Sequence, residues 1–328
     1  MQAQSPSKQP EAVEQRAVLG DALVRLGATH PNLVVLSPDV SRSTGAIKFK
    51  TAYPERFICT GISEQNTIGV AAGLAMQGWI PLVAAQSIFI AGKGWEPFRQ
   101  TVAYPHLNVK IVGTHGGINV GPDGVSHQAI EDIAIMRVIP GVVVLAPTDG
   151  NQVFSVLRAA IDEPGPVFIR LERSAIPLIT READPIHIGG SNTLVEGNDA
   201  AVIAIGSMAV AGVEAANLLA HEGVNVRVIS MVSIKPIDEA AIIRSARDTG
   251  ALVVAEDHNC NAGLGGAVAE VVVRTVPVPI EQVAVRDIFA ESGQADELRE
   301  KYHLTSYDIG RAVRRVMERR EQLGWASR

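Results

Sequence analysis

Apolar residues fall along this chain in short β-branched runs separated by longer amphipathic stretches. LVVLS (33–37), RFICT (56–60), PLVAAQ (81–86), VKIVGT (109–114), VVVLAP (142–147) and PVFIRL (166–171) are bounded by Gly, Pro or Asp, the pattern of strands buried on both faces. Between them the spacing predicts helices over 12–28, 64–77, 94–104, 128–138 and 149–162, the last with Asp149 as N-cap and the Pro-Gly-Pro of 164–166 as its stop. Strands and helices alternating in this way form a parallel sheet covered on both faces. Segment 180–199, broken by Pro185, Gly189, Gly190 and Gly197, reads as a linker running into a short strand. A second alternation follows, with strands over 200–206, 224–230, 251–257 and 283–288 and helices over 208–222, 238–248 and 264–274. Two helices, around 294–301 and 305–324, close the chain. The pattern predicts an α/β protein of two doubly wound domains, 12–187 and 188–328.

Composition narrows the class. At 328 residues, 47% hydrophobic and 20% charged, the chain can bury two cores. Lys+Arg 29 against Asp+Glu 35 gives a formal net charge of -6, and aromatics are only 4%; neither a basic footprint nor a base-stacking surface is present, so no nucleic-acid partner is expected. No apolar run reaches membrane-spanning length without polar interruption, so no membrane partner is expected either. The first ten residues, MQAQSPSKQP, lack the apolar segment of a signal peptide. Two cysteines, Cys59 and Cys260, stand far apart in no metal-type spacing, which suits a reducing, cytoplasmic compartment.

In open α/β sheets ligands bind beyond the carboxyl ends of the strands, so the strand-to-helix turns carry the chemistry. In CTGISEQNTIGVAAGLAMQG (59–78), Glu64 opens a helix rich in small residues; it is either a first-turn acid satisfying the helix dipole or an acid/base carboxylate. THGGINVGPDGVSHQAIEDIA (114–134) gathers four glycines, His115, Asp123 and His127, a set able to exchange hydrogen bonds with hydroxyls, or else a polar surface loop. Arg173, in RLERSAIPLIT (170–180), is either a surface ion pair or a fork for a phosphate. No GxGxxG, GxxxxGK[ST] or GxSxG motif occurs, and GLGGAV (263–268) reads as helix–strand packing.

In order and spacing, GISEQN, SIFIAGKGWEPFR, THGGINVGPDGVSHQ and RLERSAIP resemble the pyrimidine-binding domain of the transketolase family. AAVIAIGSMAVAG, VNVRVISMVSIKPID and VVAEDHNCNAGLGGAVAEVV are similar to that family's C-terminal domain, and the resemblance spans residues 12–315. It implies a thiamine-diphosphate-binding fold of the pyrimidine type followed by a transketolase C-terminal-like α/β domain. It also implies roles. Glu64 matches the glutamate that hydrogen-bonds the cofactor's pyrimidine and lets thiamine diphosphate act as its own base; Phe89 matches the aromatic stacked on that ring, and Asp39 an aspartate near the thiazolium. His115 and His127 match the histidines lining the sugar site, and Asp123 the aspartate on a substrate hydroxyl. Arg173, Ser43 and Arg16 match the cluster that grips the terminal phosphate.

The departures are as informative. Members of the family carry a GDG motif and a downstream Asn that hold Mg²⁺ and the diphosphate; no GDG occurs here, and GPDG (121–124) belongs to the sugar loop. Lys93 and Trp95 stand where further aromatics or small residues are usual. The resemblance therefore implies the second subunit of a split transketolase, active only with an N-terminal, diphosphate-binding partner that holds most of the Mg²⁺ contacts. The expected assembly is a heterotetramer, a homodimer core flanked by two partner chains, acting on a sugar phosphate. The competing readings are the beta subunit of a 2-oxo-acid dehydrogenase and a non-catalytic α/β binding or regulatory module.

Overall fold

The computed structural model describes residues 11–324; residues 1–10 and 325–328 lie outside the described residues. The strands in chain order are β1 (Ala12–Glu14), β2 (Leu33–Ser37), β3 (Phe57–Cys59), β4 (Ile80–Gln86), β5 (Lys110–Gly116), β6 (Val143–Leu145), β7 (Val167–Glu172), β8 (Ala175–Pro177), β9 (Asn192–Val195), β10 (Ala200–Ala204), β11 (Val226–Ser230), β12 (Ser233–Lys235), β13 (Leu252–Asn259) and β14 (Ile280–Val285). They form a seven-stranded sheet ordered β12-β6-β7-β5-β4-β2-β3, a five-stranded sheet ordered β14-β13-β10-β11-β9, and a two-stranded ribbon of β1 and β8. Both large sheets are parallel except at one edge, where β12 and β9 run antiparallel to their neighbours.

The β-branched runs become strands because helices cover both of their faces. Every residue of β2, β5, β6 and β7 is buried. Leu19, Leu23 and Leu26 of helix Gln15–Thr29, with Val153, Val156 and Leu157 of helix Gly150–Asp162, pack on one side against Val35, Leu82 and Val112. Asp149 caps the second of these helices by accepting from the Asn151 amide. Ile68, Ile90, Phe98 and Met136 pack on the other side against Leu36, Val83 and Ile111, and the same apolar cluster continues into Ile203, Leu252 and Val254 of the second sheet. One core therefore joins the two sheets. The closing helix Ser306–Gln322 starts from a Thr305/Asp308 capping box and packs Ile309, Val313 and Val316 on the far face of the second sheet.

Short pairings are where pattern and structure part. The expected helix from residue 12 begins as β1, which pairs with β8 so that Glu14 lies opposite Ala175. The expected 94–104 helix is a longer, broken element: Ser87–Gly92, Trp95–Pro97, then a π-helical turn over Phe98–Ala103. The expected 128–138 helix shrinks to Asp132–Arg137, because Ala129 is drawn into a bridge with Gly116. The strand expected at 283–288 sits at β14 instead. β12, well past residue 188, returns to pair with β6 of the first sheet. Three-residue pairings hold too few positions to show a period.

After β2 the chain steps outward to β3, then back across to β4, so strand order reverses between β2 and β4. In the second sheet the reversal lies between β10 and β13. These crevices are where the fold offers ligand sites.

Candidate active site

Glu64 is the first residue of helix Glu64–Met76 and only 6% exposed. The expectation that it sits where strand yields to helix, at the carboxyl edge of the first sheet, is met: β3 ends five residues earlier, at Cys59. Phe89, on the helix that follows β4, faces the same edge half-buried. Lys93 links the two, with its Nζ 3.6 Å from Glu64 Oε2 and 5.1 Å from the centre of the Phe89 ring. Asp39, after β2, is exposed, adopts a left-handed φ of 61, and accepts from the Cys59 thiol at 3.7 Å. A non-glycine residue in that conformation is held there by its surroundings.

The Phe89 ring meets His127 edge-on, with centroids 5.3 Å apart, and this contact leads into the second group of candidates. His115 is the last residue but one of the fully buried β5, with φ 64. Thr114 Oγ1 donates to Ala85 O, which commits its only proton, so the 2.8 Å contact between Thr114 Oγ1 and His115 Nδ1 assigns the imidazole proton to Nδ1. Nε2 is left as an acceptor. Burial first, then the guanidiniums of Arg16 and Arg173, push this imidazole down to about 4 against the pull of Asp123, so His115 is neutral at neutral pH. Arg173 is bound to Asp123 at 2.7 Å and donates to Val120 O. Arg16 pairs with Glu14 at 2.9 Å and donates to Ser43 O. Ser43 itself donates to Val40 O.

The β1–β8 ribbon explains how Arg16 and Arg173, far apart in sequence, come to act on one histidine, for it lays residue 14 beside residue 175. The structure thus gathers His115, His127, Asp123, Arg173 and Arg16 into one cluster that touches Phe89 and, through Lys93, Glu64. Asp39 lies apart from it, beside Cys59.

Sequence reasoning missed a buried charged layer beneath this cluster. Arg170 in β7 donates to Asp132 at 3.1 Å and to Asp257 O at 2.6 Å. Glu172, the last residue of β7, accepts from Asn119 Nδ2 at 2.7 Å and from the Ser207 amide at 2.9 Å. Ser207 opens helix Ser207–Ala220, so the carboxylate sits at that helix's positive end. Gly206, with φ 53, makes this possible, since a Cβ there would come within 1.9 Å of Glu172 Oε1. The crevice at the carboxyl end of β10 is therefore filled by a side chain of the first domain. The signal was in the sequence: charged residues inside strands otherwise buried on both faces, as in VFIRLE and VVAEDHN. GLGGAV behaves as expected, for Glu256 of β13 accepts from the Leu264 and Gly265 amides.

The residues fit one end of thiamine diphosphate. A ring that presents an N–H to a carboxylate and a face to an aromatic needs the contacts Lys93 now makes, and that side chain, 59% exposed, is free to leave them. Among the described residues no group of three His, Cys, Asp or Glu is gathered to hold a metal ion. No described helix is long and apolar enough to cross a membrane.

A model of the transketolase pyrimidine-binding domain matches residues 11–178, and one of the transketolase C-terminal domain matches residues 189–309. A protein of Methanocaldococcus jannaschii described as a transketolase C-terminal section is 43% identical over 303 residues, covering 92% of this chain and 95% of that one. The 6-deoxy-6-sulfo-D-fructose transketolase subunit SqwH of a Clostridium species is 38% identical over 300 residues, covering 92% and 93%. A solved split-gene transketolase, described as an inactive beta4 tetramer, superposes with a TM-score of 0.87 at 42% identity, covering 94% of this chain and 99% of its own. The chain belongs to the transketolase family, whose pyrimidine-binding and C-terminal domains it carries in that order.

Proposed function

We propose that this chain is the pyrimidine-binding subunit of a split, thiamine-diphosphate-dependent transketolase that moves a two-carbon ketol unit between phosphorylated sugars. The observation that carries the reading is the buried Glu64 carboxylate at the strand-order reversal, with a cation set between it and the Phe89 face. Relatives matched over nearly their whole length support the split arrangement. A partner chain would hold the diphosphate and Mg²⁺. Gly69 and Gly73, on the outer side of helix Glu64–Met76, have open space beyond them and suit close pairing with another chain.

In this reading Glu64 hydrogen-bonds the cofactor's pyrimidine and Phe89 stacks on it, while Asp39 faces the thiazolium side. The cofactor supplies the carbanion chemistry of ketol transfer. The chain's own residues do the rest. Neutral His115 accepts a hydrogen bond from a sugar hydroxyl through Nε2, and His127 holds a second hydroxyl beside Phe89. Arg173 turns its fork from Asp123 to the substrate anion, which frees Asp123 for a hydroxyl; Arg16 and Ser43 complete the anion site. A sulfonate would meet the same donors as a phosphate, in keeping with the sulfosugar named for one relative.

The test is co-expression with the partner subunit and a screen of donors and acceptors. Glu64→Gln should lower turnover about 10²- to 10⁴-fold, the scale of a lost acid–base group, while stability moves within about 0.5 kcal/mol. Unchanged turnover in that variant would sink the catalytic reading. Oxidative decarboxylation of a 2-oxo acid, with no ketol transfer, would move the chain to the dehydrogenase class.

A further inference from the structure

The sugar-side loop is held chiefly from the second domain. Asp257, near the end of β13 and 1% exposed, accepts from the Ile118 amide through Oδ1 at 2.9 Å and from the Asn119 amide through Oδ2 at 3.3 Å. Gly117, with φ 81, lets it come that close, since a Cβ there would lie 2.2 Å from the carboxylate. Arg299, on helix Ala295–Lys301, donates through Nε to Asn119 Oδ1 at 2.8 Å. Asn119 is thus gripped from both sides, and its own carbonyl accepts from Ser174 Oγ, next to Arg173. One residue further on, Val120 O accepts from Arg173, and Asp123 follows. Glycines that the sequence offers as space for a ligand include one that admits a carboxylate of the second domain.

We infer that Asp257, aided by Arg299, is a positioning residue for the sugar site, fixing the 117–124 loop so that Asp123, Arg173 and the neighbouring His115 present their groups in register. This rests on the reading of that cluster as the sugar site. Two features favour positioning over mere support. Asp257 is ionised against resistance: burial first, then the nearby Glu172 carboxylate, push it up to about 6, opposed by Arg170, the Ile118 amide and Arg299. A carboxylate kept in such a place is not the most stable filling of it. Its two oxygens also meet two N–H donors, an arrangement that an isosteric amide cannot reproduce, because its NH₂ would face one of them.

Hydrogen exchange on the full chain tests this without the partner. Asp257→Asn should speed amide exchange over 117–124 by about ten- to hundred-fold, the scale of a lost hydrogen bond to a charged group, with helix Ser207–Ala220 unchanged and the melting temperature not lowered. Arg299→Met, on a side chain only 24% exposed, should loosen the same peptide by a smaller factor. In the enzyme assembled with its partner, Asp257→Asn should raise KM for the phosphorylated donor about tenfold with kcat within about threefold, as a displaced binding loop does. Unaltered exchange at 117–124 in both variants would overturn the inference. So would faster exchange spread evenly over the second domain, or an equal fall in kcat with unchanged KM. A wild-type assembly without ketol transfer would fail the proposed function while leaving the exchange result standing.

Discussion

The two ends of the candidate site are built differently. At the Glu64 end, one ion pair at 3.6 Å and one partly exposed aromatic stand at the open rim of the sheet, and the Lys93 that joins them is mostly in solvent. At the His115 end, the same rim is underlaid by Arg170, Asp132, Glu172, Asn119 and Asp257, all buried and bonded across two domains. One end is finished by the chain itself. The other rests on a single, mostly exposed cation. A pocket for an anionic sugar has to exist before the sugar arrives, since misplaced donors lose the benefit of orientation. In the function proposed above, the Glu64 end is shared with a partner chain and needs no such locking until that chain is in place.

The comparison is broken most severely at Arg170. Arg170→Ala leaves Asp132, Glu172 and Asp257 without their shared cation, and should cost about 3–5 kcal/mol, read from the midpoint of denaturant unfolding. A cost below about 1 kcal/mol would mean that the sugar end is no more locked than the rim. Arg173→Ala removes the fork above that layer. In the assembled enzyme it should raise KM for phosphorylated donors about ten- to hundred-fold and leave the melting temperature almost unchanged.

Acid separates two groups of the locked end by sign. His115 lies below its ordinary 6.5, at about 4, so the unfolded chain takes up that proton first and stability is lost as pH falls from about 6.5 to 4. Asp257 lies above its ordinary 3.8, at about 6, so the folded chain takes up its proton first and stability is gained from about 6 down to 3.8. His115→Asn should therefore flatten or reverse the acid fall in melting temperature over pH 6.5 to 4, followed by circular dichroism. Wild-type and variant profiles that run parallel would contradict the His115 assignment. The smallest effect belongs to the open end. Lys93→Met should change stability by less than about 1 kcal/mol, as for an exposed ion pair. A larger loss, measured by the same denaturation, would put the Glu64 end in the locked class and erase the contrast.

Glu64, the His115–His127 loop and Arg173 were legible because they stand near where strands give way to turns or helices and are polar groups in otherwise apolar or glycine-rich surroundings, whereas Phe89, Asp39, Ser43 and Arg16 were legible only through the family resemblance. What escaped was of two kinds. β1, β8 and β12 are three residues long and have no readable period, yet β1 and β8 are what carry Arg16 to Arg173. Asp257, Glu172 and Arg170 were visible as charges inside buried strands, but which charge meets which depends on how two sheets pack, and no local spacing encodes that.

By itself the sequence determined the two α/β units, the parallel run of most of their strands, the family, and the polar residues near the strand ends. Alternating burial and turn chemistry are local, and a chain states them directly. Only the tertiary structure decided that the second domain spends its own ligand crevice on Glu172 and grips the 117–124 loop through Asp257. The physical reason is distance along the chain. Asp257 and Ile118 are 139 residues apart, and the buried carboxylate is tolerated only because folding brings it amide and guanidinium donors that water would otherwise have to replace.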